Sequence, residues 1–196
     1  TKLYNVEPGN IDPTGNQSIV IPLSIDKEKA LESAAFFSAN IDLSDKFTLD
    51  AGFRLSMFNA LGSGTQNVYA EGTPKTDTSV KEVLTFGNNE VMKTYFGPEI
   101  RLAGRYKIGE DFSLKGAYNK TYQYIHVLSN NTTSSPIDTW KLSDLNIEPQ
   151  SSHQFSFGAY QNIDNANYEL SLEGFFNQSD NIIDFKTGAD LLLNET

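Results

Sequence analysis

Apolar and polar residues alternate one for one along six stretches of this chain, the period of a strand whose two faces meet different surroundings. The longest clean run is 47 to 58. Phe47, Leu49, Ala51, Phe53, Leu55 and Met57 fall on one face, and Thr48, Asp50, Gly52, Arg54 and Ser56 on the other. Before it, Leu31, Ala35, Phe37, Ala39 and Ile41 oppose Glu32, Ser38, Asn40 and Asp42. After it come Ile100 to Tyr106, Phe112 to Asn119, Gln154 to Tyr160 and Tyr168 to Phe176, each alternating in the same way. No comparable stretch carries a helical period, so the chain is predicted to be all-β.

The connections discriminate between β architectures. Strands one and two are joined by Leu43-Ser44-Asp45-Lys46, three and four by Ile108-Gly109-Glu110-Asp111, and five and six by Asp164-Asn165-Ala166. These are tight-turn sequences. The other two connections, 59 to 93 and 125 to 150, are long and polar. Short turns at one end alternating with long loops at the other is the pattern of an outer-membrane barrel. Phe47 to Met57 makes ten steps; at about 3.3 Å each and a tilt near 45°, these rise about 23 Å, close to an apolar band of about 25 Å. The predicted fold is therefore a partial antiparallel up-and-down membrane β-barrel wall of about six long strands. Its apolar face (Leu49, Phe53, Leu55, Leu102, Leu114, Phe157, Leu170, Leu172) is expected to meet lipid. A secreted or surface β-sandwich, binding glycan or a partner protein, is the alternative. It would turn those side chains onto a second sheet.

Composition narrows the functions. A formal charge of −10 and a pI near 4.6 exclude the basic footprint of a nucleic-acid-binding surface. There is no cysteine, and the only histidines are His126 and His153, which leaves a poor ligand set for a metal. No nucleophile elbow or phosphate loop is present, and Gly62-Ser63-Gly64 reads as loop. No enzyme activity and no cofactor are predicted.

Charge placement supplies the candidate sites. Asp50, Arg54, Arg101, Arg105, Lys115, Glu169 and Glu173 all fall on polar faces, as lumen-facing or plug-facing residues would. Asp50, Arg105 and Lys115 are expected at one level, pairing among themselves. Arg54 and Arg101 are expected at a higher level, with no partner on their own strands. Lys120 fits poorly, since its parity points it outward. Tyr95, Phe96, Tyr122 and Tyr124 at one end, and Phe47, Phe112 and Tyr168 at the other, are expected to form two aromatic girdles. Trp140, in the second long loop, is the candidate for ligand contact at the outer rim, or else an anchor for that loop.

Several runs carry a more specific signal: GPEIRLAGRYKI (97–108), AYNKTYQYIHVLSN (117–130), PIDTWKLSD (136–144), IEPQ (147–150) and YELSLEGFFNQSDNIIDFKTGADLLLNE (168–195). Together with GFRLSMF (52–58), they resemble the barrel strands of TonB-dependent outer-membrane receptors. The resemblance is strongest to the subgroup with an N-terminal carboxypeptidase-regulatory-like domain. It implies an outer-membrane location and import of a scarce nutrient (iron chelate, vitamin, glycan or peptide). The implied partners are a plug domain of the same full-length chain, the TonB complex and a surface lipoprotein. Such receptors close with about 22 strands. Residues 1–196 are accordingly expected to be an incomplete segment of a transmembrane barrel domain, with the plug domain absent from it.

Overall fold

The computed structural model describes residues 1–6, 10–11, 23–24, 27–73, 75–128, 139–163 and 167–183. In chain order the strands are β1 (Lys2–Val6), β2 (Asn10–Ile11), β3 (Leu23–Ser24), β4 (Glu28–Ser44), β5 (Phe47–Leu61), β6 (Gly64–Tyr69), β7 (Val80–Phe86), β8 (Val91–Lys107), β9 (Phe112–Gln123), β10 (Ile125–Leu128), β11 (Thr139–Leu142), β12 (Gln150–Ile163) and β13 (Tyr168–Asp180). One single-turn 3-10 helix, Asp77–Ser79, precedes β7. Seven strands form the main sheet in the order β1-β4-β5-β8-β9-β12-β13. Every neighbouring pair is antiparallel. The sheet is an up-and-down meander curled into a half-barrel, with β5 beside β8 and β9 beside β12 as the alternation predicts.

The short turns form where the polar residues break the pattern. At Asp45–Lys46, the Ser44 hydroxyl accepts the amides of Lys46 (3.3 Å) and Phe47 (3.1 Å). At 108–111, the Ile108 amide reaches the Phe112 carbonyl at 2.8 Å. Gly109 there adopts φ +118°, a conformation that residues with a Cβ avoid. Asp164–Asn165, the third predicted turn, lies outside the described residues, although Ile163 and Tyr168 on either side of it are register partners.

Register confirms the two faces. Phe37, Phe53, Ile100, Lys120, His153 and Gln178 form one continuous outward row across six strands. Leu172 (77 % exposed), Leu170 (63 %) and Phe157 (60 %) stand on the same outward side. So do Phe53, Leu55 and Leu102, which are also exposed, and the half-buried Leu49 and Leu114. Among the described residues no second sheet or helix covers this face, which removes the sandwich alternative. So large an apolar surface requires a nonaqueous neighbour.

Three expectations need correction. The main sheet has seven long or edge strands, not six, because residues 2–6 add β1. The long connections are not plain loops. β6 pairs with β7, and β10 with β11, as two-stranded ribbons, because backbone that leaves the wall still needs hydrogen-bond partners. The upper girdle also fails in part. Phe96 faces outward and is 61 % exposed, but Tyr95 is the register partner of Phe58 on the inner face, and Tyr124 is buried. The lower girdle holds: Phe47, Phe112 and Tyr168 point outward near the turns, joined by Tyr106.

β4 and β8 are each 17 residues long and β5 is 15, whereas a tilted strand crosses a bilayer with about 9–11. The surplus projects beyond the membrane at the long-loop end. There it makes a mouth, and the buried core sits in that mouth.

Candidate functional site: the inner wall and the folded mouth

Inner-face residues line up by register. One row runs Ser38, Gly52, Arg101, Asn119, Gln154, Asn177; another runs Asp42, Thr48, Arg105, Lys115, Gly158, Glu173. All seven predicted lumen residues lie on this face. Arg105 and Lys115 are direct cross-strand partners, an unfavourable like-charge pair. Lys115 leans away, placing its ammonium 4.0 Å from the centre of the Tyr160 ring. The Tyr160 hydroxyl in turn donates to Glu173 at 2.9 Å. Asp50, Arg105, Lys115, Tyr160 and Glu173 border a concavity of about 430 Å³. A second, of about 610 Å³ nearer the turns, adds Glu169 and Lys107.

The two-level charge scheme is overturned in its pairings. Asp50 does not pair with Arg105 or Lys115. Its carboxylate takes a short hydrogen bond from the amide of Asn40, its cross-strand partner. Arg54 does not lack an anion. It bonds Glu99 at 2.5 Å and Glu32 at 2.7 Å. The alternation already puts Glu32 on a polar face, and register shows that Glu99 stands directly opposite Arg54. Arg101 and Arg105 make no ion pair among the described residues, and both are exposed.

Above Arg54 the inner face turns apolar. Phe58 and Ala60 share the parity of Arg54 and are fully or almost fully buried, with Ala30, Tyr124 and Leu142. Phe58 stacks on Tyr124 with centroids 4.7 Å apart and planes at 3°. Tyr124 donates to Ser56 at 2.7 Å, and Ser56 donates to the Gly97 carbonyl at 3.1 Å. Glycine at 97 leaves room for this contact. A Cβ there would stand 2.6 Å from Ser56 Oγ and closer still to Tyr124 Oη.

The ribbon β10–β11 is thereby folded back over the inner wall, and a charged clasp fixes it. Glu28, at the start of β4, accepts from Lys141 Nζ and, at 2.7 Å, from the Leu142 amide. Lys141 also reaches Asp144 at 3.3 Å. Burial would lower Lys141, but Glu28 and Asp144 outweigh it and hold the amine above its ordinary pKa; it stays a cation. Asp144 accepts the amides of Asn146 (2.8 Å) and Ile147 (2.9 Å), and its carbonyl accepts Tyr95 Oη at 2.7 Å. Lys75 and Asn67 then bind Asn146, Lys75 through its ammonium at 2.6 Å. The two long connections thus meet as one roof. Sequence reading missed this clasp, although Phe58 on a polar parity was a signal that something covers it.

His126 lies within this roof, with Nε2 3.0 Å from Ser143 Oγ. Burial pushes its pKa below the ordinary value, against the pull of Asp144. The grouping imitates a catalytic triad, but Ser143 is fully buried and the Asp144 carboxylate is engaged by backbone amides and Lys141. His153 is on the outer face against Tyr118 (2.9 Å), so the two histidines do not meet. Trp140, 54 % exposed, stands opposite Val127 on the ribbon.

A single curled antiparallel sheet with an apolar outside, a polar inside and a roofed mouth defines a membrane β-barrel wall. The family model described as TonB dependent receptor-like, beta-barrel matches residues 2–194, and the chain belongs to that family of outer-membrane receptors. No curated protein and no solved structure gave a match.

Proposed function

We propose that this chain is a stretch of the barrel of a receptor that imports a scarce nutrient (an iron chelate, vitamin, glycan or peptide) with energy delivered through TonB. The carboxypeptidase-regulatory-like domain ahead of the plug, and a surface lipoprotein over the mouth, belong to the same reading. The observation that carries it is the inner face: charged and exposed on a sheet whose outer face is apolar. The wall's role is to exclude lipid, to seat the plug and to hold the mouth loops in a fixed arrangement. It does no covalent chemistry.

In this reading Arg101, Arg105 and Lys115 seat acidic groups of the plug, while Arg54 serves only the wall. Asp50, Glu169 and Glu173 set the sign of the neighbouring surface, and Trp140 contacts ligand at the rim. Charge reversal tests the division. In the full-length receptor, Arg101→Glu should loosen the plug and admit large antibiotics while ligand binding stays intact. Trp140→Ala should weaken ligand binding without leakage. Unchanged permeability in Arg101→Glu together with lost ligand binding would overturn the assignment.

A further inference from the structure

Charge is spread unevenly over the inner face. On β9, β12 and β13 it stops at the row Lys115-Gly158-Glu173. Above that row every inward position of 117–123, 150–156 and 175–179 is uncharged, and most are amides or hydroxyls. At the same levels β5 and β8 carry Arg54, Glu99 and Arg101. Among the described residues the buried core of the roof includes nothing from β12 or β13, so the uncharged panel lies open beside it.

The middle of this panel is a ladder of side-chain amides. Asn119, Gln154 and Asn177 are successive cross-strand partners. Among the described residues the side chains of Asn119 and Gln154 make no hydrogen bond, and Asn177 only accepts, from the Ser152 hydroxyl at 2.6 Å. Phe175, two residues below Asn177 on the same inner face, is 79 % exposed. An amide presents a donor and an acceptor from one planar group, the complement of a hydroxyl, which is also both. An ionic nutrient would give up hydration here without meeting a counter-charge. A bare phenyl ring among uncharged polar groups suits a molecule with an apolar face and a polar rim.

We propose that this panel binds a neutral oligosaccharide. Ring hydroxyls bridge the amides of Asn119, Gln154 and Asn177, and the C–H face of a sugar ring lies on Phe175. The proposal rests on the importer reading above and selects one of its four nutrient classes. A peptide backbone also pairs with amides, but its charged termini meet no counter-charge on this panel. Loss of one such hydrogen bond weakens binding about fivefold.

The test screens the purified full-length receptor in detergent against neutral, anionic and cationic oligosaccharides, and in parallel against ferric chelates, vitamins and peptides. Neutral oligosaccharides should bind, and the tightest of them is then titrated into the variants by calorimetry. Gln154→Ala and Phe175→Ala should each weaken binding about fivefold. Phe175→Trp should keep it, and Phe176→Ala, on the opposite face, should leave it unchanged. Unaltered affinity in both Gln154→Ala and Phe175→Ala would overturn the site. So would leakage of large antibiotics through Phe175→Ala at unchanged sugar affinity, which would give the ring to the plug. A preference for charged oligosaccharides, or binding of a chelate, vitamin or peptide and of no oligosaccharide, would overturn the nutrient class and leave the importer reading standing. Binding of none of these classes would overturn the importer reading together with this one.

Discussion

Glu28→Gln should release the roof while leaving the wall folded. The carboxylate and its partner Lys141 are about four-fifths buried, with side-chain exposures of 21 % and 19 %. Removing one member of a fully buried pair costs about 3–5 kcal/mol, because the other charge is left unpaired. Here residual exposure and the remaining Asp144 contact at 3.3 Å reduce that to about 2–3 kcal/mol. Glutamine still accepts the Leu142 amide, so Glu28→Ala should cost about 1 kcal/mol more. A loss of 2–3 kcal/mol raises the open population roughly 30- to 150-fold. Hydrogen exchange of peptides spanning 139–147 reads this directly, since local opening sets their protection. The wall peptides of β5 and β8 should keep theirs. Adding Lys141→Met should restore most of the lost protection, because no ammonium is then left buried. The reasoning is refuted if Glu28→Gln exchanges like wild type, or if wall and roof lose protection together.

Three further outcomes follow from the same geometry. Burial holds His126 below its ordinary pKa, so its contribution is complete above about pH 6.5 and is lost as pH falls through the lowered value. Roof protection, corrected for intrinsic exchange, should fall on acidification, and His126→Gln should flatten that dependence. Gly97→Ala should tip Tyr124 off Phe58 and cost about 1–3 kcal/mol, measured as a lowered melting temperature of the full-length receptor. Leu172→Arg, midway along the outward run of β13, should cost about 2–4 kcal/mol when the receptor folds into vesicles. Phe175→Arg should cost less than about 1 kcal/mol, because it faces water.

The wall was legible in the sequence because a barrel strand states its two faces residue by residue. Leu49, Phe53 and Leu55 could be assigned outward, and Asp50 and Arg54 inward, without any knowledge of what they paired with. Short turns were legible through Ser44, Asp45 and Gly109. Pairing was not legible, because it depends on register and reach. Arg54 stands opposite Glu99 and also reaches Glu32, whose own register partner is Phe58, four residues further along β5. Asp50 is taken by Asn40, which nothing local distinguishes from other polar neighbours. The roof was hidden for a different reason. Glu28 and Lys141 are separated by 113 residues, and the segment joining β10 to β11 carries no period of its own. Only Phe58, Ala60 and Ala30, apolar where the alternation calls for polar, betrayed a covered patch.

The central claim is that one face of this sheet meets lipid and the other meets water, and β13 tests it most directly. Its Leu172 and Phe175 are almost equally exposed, at 77 % and 79 %, yet they lie on opposite faces. Nitroxide labels placed singly at 169 to 176 of the full-length receptor in bilayers can be read by collision with oxygen and with a water-soluble nickel chelate. Labels at 170, 172 and 176 should favour oxygen, and those at 169, 171, 173 and 175 the chelate, alternating with period two. Position 175 behaving like 172, or no alternation at all, would contradict the account.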